Sequence, residues 1–524
     1  MYFALRSLLL FCLATALGAQ EADNAALGWL NARVDIQSAV VTMRTERNLS
    51  KASDAVKAEV DKLTEQGAAF IASGNSGEVR RRIYHALSLL GGAKWTPREE
   101  FAAALLLRTD ARIADSSRPL VAHLDQVYPA TYQPQTGWRL RVSLHESVPS
   151  RMGPRPGKVC REFGVMEGVS RDLIDEPFSF DADLNGCGEG VRVLQAELLD
   201  GENSVRKLWT GVQVVSGLDA RFAEVERRLK KVSGHESAKC TVLAPFDLAR
   251  LVNLGRREFV RVDFTAEVRQ SVDLLRELEA GRDPLMQAVG NHRRHYSFTE
   301  AGEIMPYRVY VPAAYKPGAR LPLVVVLHGL GGTEDTFLGR AGGMVPSLAE
   351  KHGFIVVAPL GYRINGGYGG SIRRFTDAAR QRTAELSEKD VLNVVKLVSE
   401  EYGTDADRTY LIGHSMGGSG IWHLGQKYAE KWAAMAPIAG PASDLQNYPF
   451  DRLKGMPVMV WHGDADATVP VGASRSMVAA MKAHGEAPVY MEVAGATHSS
   501  VVEIAMPKIF DFLAEHSRGT ESHR

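Results

Sequence analysis

The sequence predicts an α/β protein whose C-terminal part, residues 296–518, is a doubly wound, mostly parallel sheet preceded by helical and small β-sandwich-like regions. Three observations carry that reading. Downstream of Tyr296, short continuous apolar runs alternate with helical patterns, as strands buried on both faces do. Upstream, between residues 129 and 217, apolar and polar residues alternate in short runs broken by Gly, Pro and Asp clusters, as in antiparallel strands. The chain has 524 residues, room for about two or three domains.

The elements follow in chain order. Residues 1–19 read as a signal peptide: Arg6, then an apolar run from Leu8 to Leu17, then small residues at Ala16, Gly18 and Ala19. The run is about half the ~20 apolar residues that a membrane span needs, so export without a span is expected. Residues 20–128 read as a helical region, with apolar residues three and four apart in VKAEVDKLTEQGAAFI and VRRRIYHALSLL. Residues 129–217 read as a small sandwich, from runs such as WRLRVSLHE, VRVLQAELL and KLWTGVQVV. Residues 218–295 read as a helical connector that ends in the basic stretch HRRH, a solvated charge cluster.

From 296 to 518 the apolar runs YRVYV, LVVVL, FIVVA, TYLIG, AAMAPI, VMVWH and VYMEV read as strands. In such a sheet the functional residues belong at the carboxyl ends of the strands.

Composition narrows the function classes. Lys and Arg total 62 and Asp and Glu total 62, so nothing in the net charge points to nucleic acid or an anionic membrane surface. Beyond the leader stand Cys160, Cys187 and Cys240, an odd number that allows at most one intrachain disulfide. Cys160 with Cys187 is the preferred pair, and three reduced cysteines is the alternative. No HExxH or CxxC spacing suggests a metal site.

The segment TYLIGHSMGGSG places Ser415 between Gly413 and Gly417, after a strand and before a helix. A chain of this composition yields G-x-S-x-G by chance in roughly a quarter of cases, so the strand–turn–helix context carries the weight. A serine hydroxyl needs a base to take its proton, and the base needs an orienting acid. VMVWHGDADATVP offers Asp464 and Asp466 at one later strand end, and VYMEVAGATHSS offers His498 at the last. Asp466 is preferred, because Asp464 directly follows the His462-Gly463 turn, and such a residue is commonly spent on shaping the turn. His328 and His462, each followed by glycine at a strand end, read as structural. His414 is expected to point its ring away from the Ser415 hydroxyl. The backbone N–H groups of Leu330, in LVVVLHGLGG, and of Met416 are candidate donors to an oxyanion. The loop GYRINGGYGGSIRRF is a candidate pocket wall, with Tyr362 and Tyr368 as substrate contacts.

Taken together, MPYRVYVPAAYKP, PLVVVLHGLGG, YGTDADRTYLIGHSMGG, WHGDADATVP and GATHSS resemble the α/β-hydrolase superfamily. They are most similar to its secreted esterases of the feruloyl-esterase and polyhydroxybutyrate-depolymerase-like branch, which also includes predicted peptidases. The resemblance begins near Tyr296 and leaves the N-terminal part uncovered. It implies an α/β-hydrolase domain with Ser415, Asp466 and His498 as triad, an acyl-enzyme mechanism, no metal and no organic cofactor. The implied partner is a small-molecule or polymer-linked ester, with no nucleic acid and no membrane span. Two other functions remain open at this level: a serine peptidase of the same fold, and a binding protein with an idle hydrolase domain. Only PASDLQNYPFDRLKGMP separates the AAMAPIAG and VMVWHG strands, so a large lid is not expected there, which suits short acyl groups or bulky soluble substrates.

Overall fold

The computed structural model describes residues 40, 43, 46–48, 50–72, 75–133, 137–149, 154–257, 263–370, 378–442 and 444–518. The expected leader, residues 1–19, lies outside them. The chain divides into two compact units, Met1–Arg227 with Pro245–Gln270, and Arg228–Ala244 with Ser271–Arg524.

The first unit includes helices α1 (Asp54–Ala72), α2 (Ser76–Leu90) and α3 (Pro97–Ala104). Side chains cap two of them: Asn75 accepts from the Glu78 N–H and Thr96 from the Glu99 N–H. Val60 and Leu63 of α1 pack with Val79 and Ile83 of α2, which is the three-and-four spacing seen in the sequence.

The helical reading of 20–128 is corrected beyond Ala104. Strands β1 (Leu105–Thr109), β2 (Ile113–Asp115) and β3 (Leu120–Gln126) follow. The run FAAALLL is apolar throughout, and a run without periodicity does not reveal where helix gives way to strand. Next come β4 (Trp138–Val148), β5 (Arg155–Val169), β6 (Phe178–Ala182), β7 (Gly190–Asp200) and β8 (Asn203–Val215). They form a three-stranded sheet, β1-β3-β6, and a five-stranded sheet, β2-β8-β7-β4-β5. Leu105, Leu107 and Leu124 of the first sheet share one core with Leu140, Val142, Leu194 and Leu198 of the second. The sandwich-like region therefore draws on strands from residue 105 onward.

The preferred Cys160–Cys187 disulfide is also corrected: no disulfide joins Cys160 to Cys187. The turn before β7 is fastened to β5 by Arg161 instead, whose guanidinium donates to the carbonyls of Asp183 and Asn185 at 2.7 Å each.

Helices α4 (Leu218–Leu229), α5 (Glu236–Asn253) and α6 (Phe264–Glu279) occupy the expected helical connector. The sheet of the second unit then starts before Tyr296, with β9 (Gly290–Phe298), followed by β10 (Glu303–Val311) and β11 (Leu323–Leu327). After helix α7 (Met344–His352) come β12 (Ile355–Pro359), helix α8 (Ala378–Tyr402), β13 (Thr409–His414) and helix α9 (Met416–Lys427). Next come β14 (Ala434–Ile438), β15 (Met459–Gly463), α10 (Gly472–Ala483), β16 (Val489–Val493) and α11 (Ser500–Ala514).

The reading of HRRH as a solvated cluster is thereby corrected. Arg294 is 1% exposed, and its guanidinium meets Glu401 at 2.5 Å and Ser237 Oγ at 3.2 Å. Paired charge lets a basic segment serve as an edge strand, where an apolar pattern is not required.

The strand order is β16-β15-β14-β13-β11-β12-β10-β9. β9, β10 and β12 are joined antiparallel, and every other neighbouring pair is parallel. In β11, Leu323, Val325 and Leu327 face one core while Val324 and Val326 face the other. Burial on both faces is why these strands read as unbroken apolar runs. From β11 the chain passes to β12 on one side and then to β13 on the other. That reversal opens a crevice at the carboxyl ends of β11 and β13, the position where ligands bind in open α/β sheets.

Candidate active site

Ser415 sits at that crevice, half-buried, between the end of β13 and the first residue of α9. Its φ of 56° and ψ of −115° are a strained conformation for a residue with a Cβ. The strain persists because the turn is clamped on both sides. The Ser415 N–H donates to the Ile438 carbonyl at 2.9 Å. A Cβ on Gly413 would run into the Gly417 carbonyl, and one on Gly417 would collide with the carbonyl of Leu327 at the end of β11. Gly417→Ala is therefore expected to cost about 1–3 kcal/mol or more by overpacking, together with most activity. A thermal melt within 1 °C of the parent would contradict this close approach.

The loop after β11 lies over the elbow. A Cβ at Gly329 would be 3.3 Å from Ser415 Cβ and 3.4 Å from His414 Nδ1. Gly331 N–H donates to the Ile364 carbonyl at 2.9 Å and Gly332 N–H to the Gly329 carbonyl at 3.0 Å. His328, 1% exposed, faces the carbonyls of Gly329 (2.8 Å) and Leu360 (2.7 Å) with its two ring nitrogens. Burial holds its pKa below the usual imidazole range. Among the described residues the N–H groups of Leu330 and Met416 have no hydrogen-bond acceptor. Met416 N–H also lies in the first turn of α9, where intrahelical acceptors are lacking and the helix dipole favours negative charge.

His498, half-buried in the loop between β16 and α11, presents Nδ1 to Asp466 Oδ2 at 2.6 Å. Asp466 is 8% exposed. Burial alone would raise its pKa, but contacts from His462 and His498 and the Val469 N–H outweigh burial and hold it far below the usual carboxylate range. Its other oxygen accepts from the N–H groups of Thr468 and Val469 at 2.8 Å each. Asp464 is directed elsewhere, accepting from the Gly495 N–H at 2.6 Å, so it ties together the two loops that carry Asp466 and His498. No hydrogen bond joins Ser415 Oγ to His498 among the described residues, and such contacts often tighten only when substrate binds.

Two further histidines lie beside these residues, and His462 is structural, as the sequence reading has it. His462, fully buried, hydrogen-bonds Ser474 Oγ at 2.7 Å and the Val469 carbonyl at 3.0 Å, and lies 3.3 Å from Asp466 Oδ2. His414 Nε2 lies 2.7 Å from the His498 carbonyl oxygen, and the two rings are 4.5 Å apart. Burial first, with the His498 ring beside it, pulls the His414 pKa down to about 4. In the unfolded chain it titrates near 6.5, so between pH 6.5 and 4 the unfolded state binds a proton that the fold refuses. Stability falls across that window by an amount on the order of 3 kcal/mol, and above pH 6.5 the group contributes no pH dependence. His414→Gln is expected to lose less Tm than the parent between pH 6.5 and 4; parallel Tm curves would contradict a neutral buried His414.

The pocket-wall reading is corrected for Tyr368. It is 0% exposed, lies against Gly361 and Gly420, and donates to the His328 carbonyl at 3.3 Å. It is a core residue. Tyr362, partly buried, packs edge-on against Phe298 and under the Arg363 guanidinium at 3.8 Å. Residues 371–377 of the same loop lie outside the described residues. Asp390, fully buried, accepts from the Gly361 N–H (2.7 Å), the Tyr362 N–H (2.9 Å) and the Tyr296 hydroxyl (2.6 Å). Arg363 pairs with the buried Glu303 at 2.6 Å. These anchors hold the loop whose Ile364 carbonyl supports Gly331. An aspartate on the apolar face of KDVLNVVKLV was the available sequence signal.

Among the described residues no cluster of His, Cys, Asp and Glu has the arrangement of a metal site, and no helix is long and apolar enough to cross a membrane.

Residues 299–522 match the family described as putative esterases. A bifunctional acetylxylan esterase/xylanase of Neocallimastix patriciarum is 30% identical over 142 residues, covering 27% of this chain and 19% of that protein. An S-formylglutathione hydrolase of Arabidopsis thaliana is 25% identical over 178 residues, 31% of this chain and 62% of the relative. The chain thus spans less than two thirds of the length of either. A solved ferulic acid esterase aligns with 43% of this chain and 98% of its own at 16% identity and a TM-score of 0.36.

Proposed function

We propose, from the match of residues 299–522 to the family described as putative esterases, that the protein is a serine hydrolase that cleaves carboxylic esters through an acyl-enzyme on Ser415. One observation carries the reading: the His498–Asp466 pair, 2.6 Å apart, lies beside a strained elbow whose serine heads a helix.

The chemistry follows from which atoms are held. With its Nδ1–H donated to Asp466, His498 keeps Nε2 unprotonated, ready to take the Ser415 proton as Oγ attacks the ester carbonyl. The charge that develops on the carbonyl oxygen is met by the N–H groups of Met416 and Leu330. His498 then gives the proton to the leaving alcohol, and a water molecule repeats the sequence on the acyl group. Every step uses groups of this chain, the ester and water, and no cofactor is required. Short or aromatic acyl groups, free or attached to a polymer, are the proposed substrates, because the segment after β14 is too short for a large lid. The leader sequence supports export; the mature N-terminus is expected just after Gly18 or Ala19, and N-terminal sequencing of exported protein checks it.

The test is to treat the protein with a fluorophosphonate probe and with short-chain and aromatic aryl esters, alongside a peptide panel. Probe mass on the peptide containing Ser415 and ester turnover well above amide turnover are expected. A probe adduct at another residue sinks the assignment of the nucleophile, and preferential peptide cleavage sinks the esterase reading.

A further inference from the structure

The base is tied through its backbone as well as through Asp466. His498 and Ser499 expose two consecutive carbonyl groups just before α11. The first accepts from His414 Nε2–H at 2.7 Å and the second from the Arg340 guanidinium at 2.7 Å. The two donors come from different places: His414 is the last residue of β13, and Arg340 lies in the segment that follows the loop after β11. We propose that His414 and Arg340 are positioning residues, a two-point latch that sets where His498 stands relative to Ser415. This inference rests on the serine-esterase reading above and deepens it.

Three features support the latch. His414 immediately precedes Ser415, so the nucleophile and the carbonyl of the base hang from the same peptide. A drift of the β16–α11 loop is thus opposed by the strand end that carries the serine. The His414 ring also lies close to Gly329, where a Cβ would stand 3.4 Å from its Nδ1, so one ring neighbours the elbow, the loop after β11 and the loop of the base. Finally, each donor is itself restrained. His414 is 9% exposed, and Arg340 is also paired with Glu503 at 3.5 Å. The charged or titratable groups around His414 are His498, Arg340 and Asp466.

Without the latch, Asp466 still fixes the tilt of the imidazole, but the ring can ride with its loop. A displacement of about 1 Å of a catalytic group is enough to cost on the order of 100-fold in rate. Binding of substrate does not pass through these carbonyls, so the loss belongs to kcat.

The experiment compares His414→Phe and Arg340→Met with the conservative His414→Gln and Arg340→Lys, using the full chain, an aryl ester and Ser415→Ala as control. His414→Phe and Arg340→Met are each expected to lower kcat by about 10–100-fold with KM within about twofold. His414→Gln, which can place an amide N–H where Nε2 stood, and Arg340→Lys are expected to recover most of the loss. Kcat at the parent level in folded His414→Phe and Arg340→Met, with Ser415→Ala inactive, overturns the latch while leaving the esterase reading intact. Should His414→Phe fail to fold, His414→Gln decides: a folded protein with kcat reduced 10-fold or more shows that the hydrogen bond is not what matters. Activity that survives in Ser415→Ala overturns the underlying reading instead.

Discussion

Replacing Ser415 by alanine, or His498 by alanine, is expected to lower kcat by about 10⁶-fold, and replacing both to cost little more. On the proposed mechanism the effect is large because neither residue works alone. Ser415 Oγ is a weak nucleophile until its proton has somewhere to go, and His498 Nε2 has no proton to take once the hydroxyl is absent. The elbow keeps its shape in Ser415→Ala, since its strain is held by the Ile438 carbonyl and the two close-packed glycines, not by the hydroxyl. Folding is therefore expected to survive, and the loss reads as chemistry. Steady-state kcat on an aryl ester, with circular dichroism as the folding control, checks it. A Ser415→Ala protein within tenfold of the parent would remove the serine from the mechanism.

Replacing Asp466 by asparagine is expected to lower kcat by about 10⁴-fold, whereas Asp464→Asn should stay within about threefold. The asymmetry follows from hydrogen-bond direction. One oxygen of Asp466 is committed to two backbone donors, the N–H groups of Thr468 and Val469. An asparagine must keep its carbonyl there, which aims its NH₂ at His498 Nδ1. His498 then carries its proton on Nε2, the nitrogen that must be free to receive the one from Ser415. Asp464 only accepts from Gly495 N–H, and an amide oxygen can replace it at a cost near 1 kcal/mol in stability. Equal losses in the two variants, or a larger one in Asp464→Asn, would show that the base is oriented by a different acid.

Much of this site was legible because its parts are local. Ser415 lies between a five-residue apolar run and a helical stretch, and Asp466 and His498 follow two further apolar runs. A strand covered on both faces leaves little choice of composition, so seven of the eight strands described in the second unit stood out. β9 did not, since GNHRRHYSF is stabilised by ion pairing of Arg294 with Glu401, and that partner lies more than a hundred residues away. The helix-to-strand change at Ala104 was hidden for a different reason: a run that is apolar at every position has no period to read.

Tyr368 shows the opposite failure. Tyrosine among glycines has the composition of a mobile surface loop, yet Gly361 and Gly420 form a slot that its ring fills. The glycines make room for the ring, and only their positions in space say so.

What the sequence determined by itself is the order of the proposed catalytic residues along the chain: Ser415, then Asp466, then His498, each at the carboxyl end of an apolar run, in a fold whose strands are buried on both sides. What the tertiary structure decided is direction. It turned Asp466 rather than Asp464 toward His498, set the His414 ring against the His498 carbonyl, and put Tyr368 in the core. The physical reason is that hydrogen bonds depend on distance and angle between residues such as His414 and His498, 84 positions apart. Those angles are set by how the strands are ordered around the crevice, which composition and periodicity do not encode.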